Sequence, residues 1–266
     1  MGPQGMSPLS NFPQHEAAEL KYIFTDVDDT ITSDGALLPQ AYQAICDLGA
    51  RGYKIVPVTG GPAGWCDCIL RMWPVCAVVG ESGAFYMFKD ANNHQAQTRH
   101  LVAQTLRHQY SIDLTLLKQD ILKSFPSIKL ASDQFCRLYD LAIELFSIRG
   151  ESQLTEIKVF LKNRGLNIKT SSIHLNAFWG EWDKLSSSKL MAQELWKIRL
   201  EDVNDQCLFI GDSLNDEPMF EFFNLSFGVA NITDQLGKLK HKPKWITPSK
   251  GGLGFVEFSQ AVLKLR

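Results

Sequence analysis

Six short apolar runs constrain the fold of this chain more strongly than any other sequence feature. Several of them are apolar throughout, a pattern typical of strands that are buried on both faces of a sheet. Segments with a helical spacing of apolar residues separate the runs. This strand–helix–strand rhythm predicts an α/β fold with a doubly wound, Rossmann-like parallel sheet. The runs are KYIFT (21–25), KIVPV (54–58), CAVVG (76–80), CLFIG (207–211), SFGVA (226–230) and KWIT (244–247).

The rhythm breaks between residues 89 and 178, where the pattern predicts helix, strand, strand, helix, strand, strand. This order describes a compact α+β unit. We therefore interpret 89–178 as a cap domain inserted into a core that is formed by 21–88 and 179–266. Residues 1–20 contain several Pro and Gly residues and no signal-peptide pattern, and we interpret them as a flexible tail.

Composition argues against several kinds of partner. The formal net charge of -2 gives no global attraction to nucleic acid or to an anionic membrane. No stretch approaches the roughly 18 apolar residues that predict a membrane helix. The six cysteines are scattered, without the spacing of zinc ligands, which indicates a reducing compartment. We therefore expect a cytoplasmic protein without nucleic-acid or membrane partners.

Residues that carry chemistry follow several of the runs, at the points where the predicted strands end. Open parallel sheets bind ligands at the carboxyl ends of their strands, so these residues are expected to converge. Alternation along a strand also places residues 26 and 28 on the same side. Lys184 opens the predicted helix that leads into the fourth run. The candidates are Asp26, Asp28, Thr59, Gly60, Lys184, Asp212, Asn215 and Asp216.

The order of these motifs resembles that of the haloacid dehalogenase superfamily of phosphohydrolases. The motifs are DVDDT (26–30), VTGG (58–61), Lys184 and GDSLND (211–216). The insertion after the second motif resembles the type II cap of the trehalose-phosphate and sucrose-phosphate phosphatases, the Cof-like phosphatases and the phosphomannomutases.

The resemblance implies a role for each of the carboxylates. Asp26 is the implied nucleophile, which attacks phosphorus and forms a phospho-aspartate. Asp28 is the implied acid and base, which protonates the leaving oxygen and later takes a proton from water. Mg²⁺ is the implied cofactor, held by Asp26, Asp212 and the backbone carbonyl of Asp28.

The remaining candidates neutralise charge and hold phosphate in the resembled mechanism. Lys184 supplies a fixed positive charge, which Asp216 orients with support from Asn215. The Thr59 hydroxyl and the Gly60 N–H hold phosphate oxygens. Lys189 is a rival to Lys184, because it lies closer in sequence to GDSLND.

The chain departs from the resembled motifs at three positions. Asp29 and Ser82 stand where Gly and Asn are usual, and neither change removes a catalytic group. Gly61 stands where relatives commonly have Arg, so a positive charge beside the phosphate is missing.

We interpret the chain as a magnesium-dependent phosphatase of a small phosphorylated metabolite. The relatives and the FWGEW segment favour a sugar phosphate such as trehalose or sucrose phosphate, with Trp179 and Trp182 lining the cleft. The alternatives are a phosphomutase of the phosphomannomutase type and a non-catalytic protein that accepts or binds phosphate.

Overall fold

The computed structural model describes residues 5–13, 19–90, 92–171 and 173–264. Its strands, in chain order, are β1 (Ser7–Pro8), β2 (Tyr22–Thr25), β3 (Thr32–Ser33), β4 (Ala36–Leu37), β5 (Lys54–Pro57), β6 (Ala77–Gly80), β7 (Phe85–Lys89), β8 (Ala96–His100), β9 (Leu141–Glu144), β10 (Asn167–Thr170), β11 (His174–Phe178), β12 (Cys207–Gly211), β13 (Leu225–Gly228) and β14 (Trp245–Ile246). Its α-helices are α1 (Pro39–Ala50), α2 (Ala63–Met72), α3 (Gln104–Ser124), α4 (Gly150–Lys162), α5 (Lys184–Trp196), α6 (Glu217–Phe222) and α7 (Gly251–Leu263). None of these helices is long and apolar enough to cross a membrane.

A parallel sheet forms the centre of the core, as the apolar runs predict. Among the described residues its strand order is β1-β14-β13-β12-β2-β5, and every neighbouring pair is parallel. A parallel bridge between Val58 and Val79 connects this sheet to β6. The predicted α/β fold with a parallel sheet is therefore confirmed.

Helices cover both faces of this sheet. Ile23 and Ile55 belong to one apolar cluster, with residues of α1, α2 and α7. Phe24 and Val56, the next residues along the same strands, belong to a second cluster with residues of α5 and α6. Successive side chains of a strand point to opposite faces, so an unbroken apolar run supplies both clusters.

The inserted unit has an antiparallel sheet in the order β10-β11-β9, together with α3 and α4. Its apolar cluster is separate from those of the core and includes Leu117, Ile143 and Leu161. Two details differ from the prediction. The first strand predicted for the insert, from the segment SIKLA (127–131), is not a strand, because only Leu130 forms a bridge, to Ile143.

The second difference concerns where the insert begins. β7 pairs with β6, β8 pairs with β7, and Val102 packs into a core cluster. The polypeptide therefore stays with the core until about residue 102 instead of leaving it at 89.

Residues 5–13 are ordered against the core, so the predicted flexible tail is wrong for this part of 1–20. β1 pairs in parallel with β14, and Met6 is fully buried. The Phe12 ring packs edge-on against Phe227 and Trp245, with centroids 5.0 Å apart in both pairs. Burial of apolar side chains offsets the entropy cost of ordering this segment. The rest of that prediction, 1–4 and 14–18, lies outside the described residues.

Candidate active site

Asp26 and Asp212 occupy equivalent places at the carboxyl edge of the central sheet. Asp26 directly follows β2, and Asp212 directly follows the neighbouring strand β12. The backbone N–H of Asp26 donates to the carbonyl oxygen of Ile210 at 2.8 Å, which extends the strand pairing to Asp26. Both side chains are buried, at 4% and 2% exposure.

Lys184 lies between two carboxylates. Asp183 caps α5 by accepting the backbone N–H of Ser186, so the helix begins at Lys184. The Lys184 Nζ donates to Asp26 Oδ1 at 2.5 Å and to Asp216 Oδ1 at 2.6 Å. Burial alone lowers the pKa of Lys184, but Asp216 and Asp26 more than offset this and raise it, so the side chain stays charged.

The same ammonium group has a weaker contact, and its rival is elsewhere. Asn215 Oδ1 accepts from Lys184 Nζ at 3.3 Å. The Lys189 side chain is 33% exposed and pairs with Glu201 at 2.9 Å. The structure therefore brings Lys184, and not Lys189, to the predicted nucleophile.

Asp216 holds both the lysine and the loop that follows β12. Its Oδ2 accepts the backbone N–H groups of Asp212 at 3.1 Å and Ser213 at 3.2 Å. A Cβ at Gly211 would lie 2.5 Å from that oxygen, which explains the glycine that opens GDSLND. Asp216 therefore connects Lys184 to the loop after β12, and these contacts are compatible with the orienting role that the resemblance implies.

Asp28 lies in the same cavity as Thr59 and Gly60. The Thr59 hydroxyl donates to Asp28 Oδ2 at 3.4 Å and accepts the Gly61 N–H at 2.8 Å. Burial raises the pKa of Asp28, although Lys184 opposes the shift. A raised pKa suits a carboxyl group that must donate a proton near neutral pH.

Three buried carboxylates are close enough to repel one another. Oxygens of Asp26, Asp212 and Asp216 lie within 4.8 Å of each other. Burial raises the pKa of Asp26 to about 7, with Lys184 opposing the shift. Burial and the charge of Asp26 also raise the pKa of Asp212. One lysine therefore does not neutralise the cluster fully.

The donor set fits a divalent cation that prefers oxygen ligands, such as Mg²⁺. Both oxygens of Asp216 are already engaged by Lys184 and by backbone N–H groups. Asp26 and Asp212 remain as the carboxylates that could hold the ion, together with the backbone carbonyl of Asp28.

Asn231 is a supporting residue that the sequence reasoning missed. Its Nδ2 donates to Asp212 Oδ2 at 2.8 Å and to the Asp29 carbonyl at 3.0 Å, which links the loops that follow β2 and β12. Asn231 follows the fifth apolar run, just after β13. Its position directly after an apolar run is the same sequence signal that identifies Asp212.

A cavity of about 690 Å³ lies between the core motifs and the inserted unit. On the core side, Trp65, Met72 and Trp73 give it an apolar wall. The inserted unit contributes polar side chains together with apolar Leu145, Phe146 and Ile173. The polar ones are Ser132, Asp133, Arg137, Glu144, Ser171, His174 and Asn176.

Trp179 and Trp182 are not among the residues that line this cavity, so the structure does not support their predicted contact with substrate. The Trp182 ring stacks on Phe178, with centroids 5.3 Å apart and planes at 18°. The Trp179 Nε1 donates to the carbonyl of Arg164, and its ring packs edge-on against Tyr110. Both rings pack the junction of insert and core instead.

Comparison with known proteins agrees with this geometry. Residues 139–257 match the model of a family described as haloacid dehalogenase-like hydrolases. This segment includes Lys184 and the GDSLND loop. The matched segment is less than half of the chain and begins after the DVDDT and VTGG motifs. The match bears out the resemblance predicted from the motifs: this part of the chain is similar to haloacid dehalogenase-like hydrolases. A search of curated proteins found no significant match.

Several solved structures of hydrolases and phosphatases share the fold over nearly the whole chain. A protein of Plasmodium vivax, described as a HAD/COF-like hydrolase, is 18% identical with a TM-score of 0.68, and the alignment covers 96% of this chain and 100% of that one. Sucrose-phosphatase from Synechocystis is 16% identical with a TM-score of 0.64, covering 91% and 97%. A trehalose-6-phosphate phosphatase related protein is 15% identical with a TM-score of 0.64, covering 92% and 98%.

Proposed function

We propose that this chain is a magnesium-dependent phosphatase that works through a phospho-aspartate at Asp26. One observation carries the proposal: a fully buried lysine bridges Asp26 and Asp216, beside a second strand-end carboxylate at Asp212. A buried cluster of this kind is costly unless it interacts with something charged, and a phosphoryl group with its cation satisfies that need.

Each side chain has a distinct part in the proposed reaction. An Asp26 oxygen attacks phosphorus, and the bond to the leaving oxygen breaks as Asp28 gives that oxygen a proton. Asp28 then takes a proton from the water that attacks the phospho-aspartate, which releases inorganic phosphate and restores Asp26. Lys184 favours the ionised form of Asp26, and Thr59 and Gly60 hold phosphate oxygens. A bound Mg²⁺ supplies charge neutralisation at the transferring group.

A sugar phosphate is the substrate class that we propose, with a disaccharide phosphate ahead of a hexose phosphate. Two similar structures are named for sucrose phosphate and trehalose 6-phosphate chemistry. The cavity offers the flat faces of Trp65 and Trp73 beside the polar groups of His174 and Asn176, a mixture that suits sugar rings and hydroxyls. Trp65 and Trp73, and not Trp179 and Trp182, are therefore the aromatic side chains that would contact a sugar ring.

A screen for phosphate release tests the proposal directly. The purified protein is incubated with sugar phosphates, nucleotides and phosphopeptides, with Mg²⁺ and with excess chelator. We expect release from sugar phosphates that needs Mg²⁺, needs no activating bisphosphate and disappears in Asp26→Asn. A bisphosphate requirement would indicate a mutase. Full activity in chelator, or in Asp26→Asn, would contradict the mechanism.

The proposed location is the cytoplasm, as expected from the sequence. All six cysteines are free thiols, and Cys66 and Cys207 are buried among apolar residues. Unpaired thiols are characteristic of proteins kept in a reducing compartment.

A further inference from the structure

A buried arginine of the inserted unit contacts the phosphate-binding loop of the core. The Arg137 side chain is 1% exposed, and its guanidinium donates to both oxygens of Asp133 and both oxygens of Asp140 at 2.8–3.1 Å. Its Nη1 also donates to the carbonyl oxygen of Gly60 at 3.0 Å. The two carboxylates fix the direction of the guanidinium, since its fork geometry is rigid.

The Gly60–Gly61 peptide transmits this contact to the active site. Its carbonyl oxygen accepts from Arg137, and its N–H, on the other side of the same planar unit, donates to Thr59 Oγ1 at 2.8 Å. A hydroxyl oxygen that accepts this bond directs its own proton elsewhere. Here the Thr59 hydroxyl donates its proton to Asp28 Oδ2, which lies 3.4 Å from Thr59 Oγ1 on the cavity side.

Close approach at Gly61 supports the same arrangement. A Cβ at Gly61 would lie 3.1 Å from Thr59 Oγ1, so a side chain there would crowd the hydroxyl. The absence of the usual arginine at this position therefore goes together with an arginine that arrives from the insert.

Glu81 holds the arginine loop against the core. Its Oε1 accepts backbone N–H groups of Ala63 at 3.1 Å and Leu138 at 2.8 Å, and its Oε2 accepts that of Tyr139 at 2.6 Å. The loop that carries Arg137 is thus fixed to the start of α2, two residues after Gly61.

We propose that Arg137 is a positioning residue: it fixes the Gly60–Gly61 peptide so that the Thr59 hydroxyl proton points into the cavity toward the phosphoryl group. This inference rests on the proposed phosphatase function. It assigns the insert a role in the geometry of the core, in addition to forming a wall of the cavity.

A double-mutant cycle separates positioning from a purely structural contact. Arg137→Lys keeps the charge but loses the fork, and Thr59→Val removes the hydroxyl while keeping the shape. We expect each to lower kcat/KM by roughly tenfold to 100-fold, the scale of a small misplacement in an active site. The double variant should be no worse than Thr59→Val alone, because Arg137 acts through that hydroxyl.

Controls make each outcome decisive. Arg149→Lys, at an exposed arginine of the insert, should leave kcat/KM unchanged. Additive losses in the cycle would assign Arg137 a structural role and overturn the inference, as would an unaltered Thr59→Val. If Arg137→Lys does not fold, Asp133→Asn takes its place in the cycle with a milder expected loss, because that carboxylate is 19% exposed. If Asp26→Asn loses activity while the cycle is additive, the proposed phosphatase function stands and only the role of Arg137 is contradicted.

Discussion

Replacing Lys184 with methionine should destabilise the protein in a way that depends on pH. Methionine has a similar length, so the change removes the charge with little change in volume. It leaves Asp26 and Asp216 without the ammonium that now lies 2.5 and 2.6 Å from them. Removing one partner of a buried ion pair costs about 3–5 kcal/mol of unfolding free energy. That loss is a large part of the roughly 5–15 kcal/mol that stabilises a typical domain.

The sign of the pH dependence follows from the pKa of Asp26. Burial already raises this pKa to about 7 while Lys184 opposes the shift, so removing Lys184 raises it further. In the unfolded chain the same group ionises near pH 4. Between these two values the folded protein holds a proton that the unfolded chain has released, so the unfolding free energy falls as pH rises. The limiting slope is about 1.4 kcal/mol per pH unit for one proton. Below about pH 7 Asp26 holds its proton in both folded proteins, so the deficit of Lys184→Met should be nearly constant there. It should grow from pH 7 to pH 8, where only the variant keeps that proton.

Urea unfolding at several pH values, in chelator, measures this deficit, and phosphate release in Mg²⁺ measures the catalytic effect. We expect kcat to fall by about 10²–10³-fold, as when one preorganised donor is removed from an active site. Lys189→Met is the matched control, since its partly exposed pair with Glu201 contributes less than about 1 kcal/mol. Equal effects of the two substitutions, or a deficit that grows as pH falls, would refute the reasoning.

Three further predictions concern the nucleophile, the metal and the cavity. Asp26→Asn should abolish phosphate release yet leave the thermal midpoint the same or higher, because it removes a charge that Asp212 repels; a folded variant with normal turnover would contradict this. Asp212→Asn should raise the Mg²⁺ concentration needed for half-maximal activity by at least tenfold, since one of two carboxylate ligands is lost, and a metal titration of activity checks it. Trp65→Ala should raise the KM for the best sugar phosphate several-fold, whereas Trp182→Ala should lower stability by about 3–5 kcal/mol with KM little changed; steady-state kinetics and urea unfolding distinguish the two, and the reverse pattern would show that the cavity was assigned wrongly.

The sequence predicts those site residues that directly follow the buried parallel strands. Asp26 and Asp212 follow buried apolar runs, and parallel pairing of those runs brings them together without any side-chain information. Lys184 follows from the helix start that Asp183 caps. Asn231 likewise follows an apolar run, just after β13, but its neighbours match no motif, so the motif comparison does not identify it.

Features decided by long-range packing could not be predicted in this way. β8 is largely exposed and has no apolar pattern, and it is a strand because β7 pairs with it. From the sequence alone, Trp182 could line the cavity or pack in the core. Its stacking contact with Phe178 shows that it packs in the core. The sequence predicts that Met6 belongs to a tail, because no local feature indicates that the adjacent strand β1 pairs with β14.

The contact of Arg137 with Gly60 bears on the positive charge that is missing at Gly61. Comparison of position 61 with the motif shows only that Gly61 stands where an arginine is usual, so that a positive charge is missing there. In the folded protein, however, the guanidinium of Arg137 donates to the carbonyl oxygen of Gly60, although the two residues are 77 positions apart in the chain. Because that guanidinium belongs to the insert, the geometry of the phosphate loop depends on the insert being docked, and Glu81 supplies the docking contacts from the core side. Insert and core are therefore expected to tolerate substitutions jointly at Gly61, Glu81 and Arg137, and not independently.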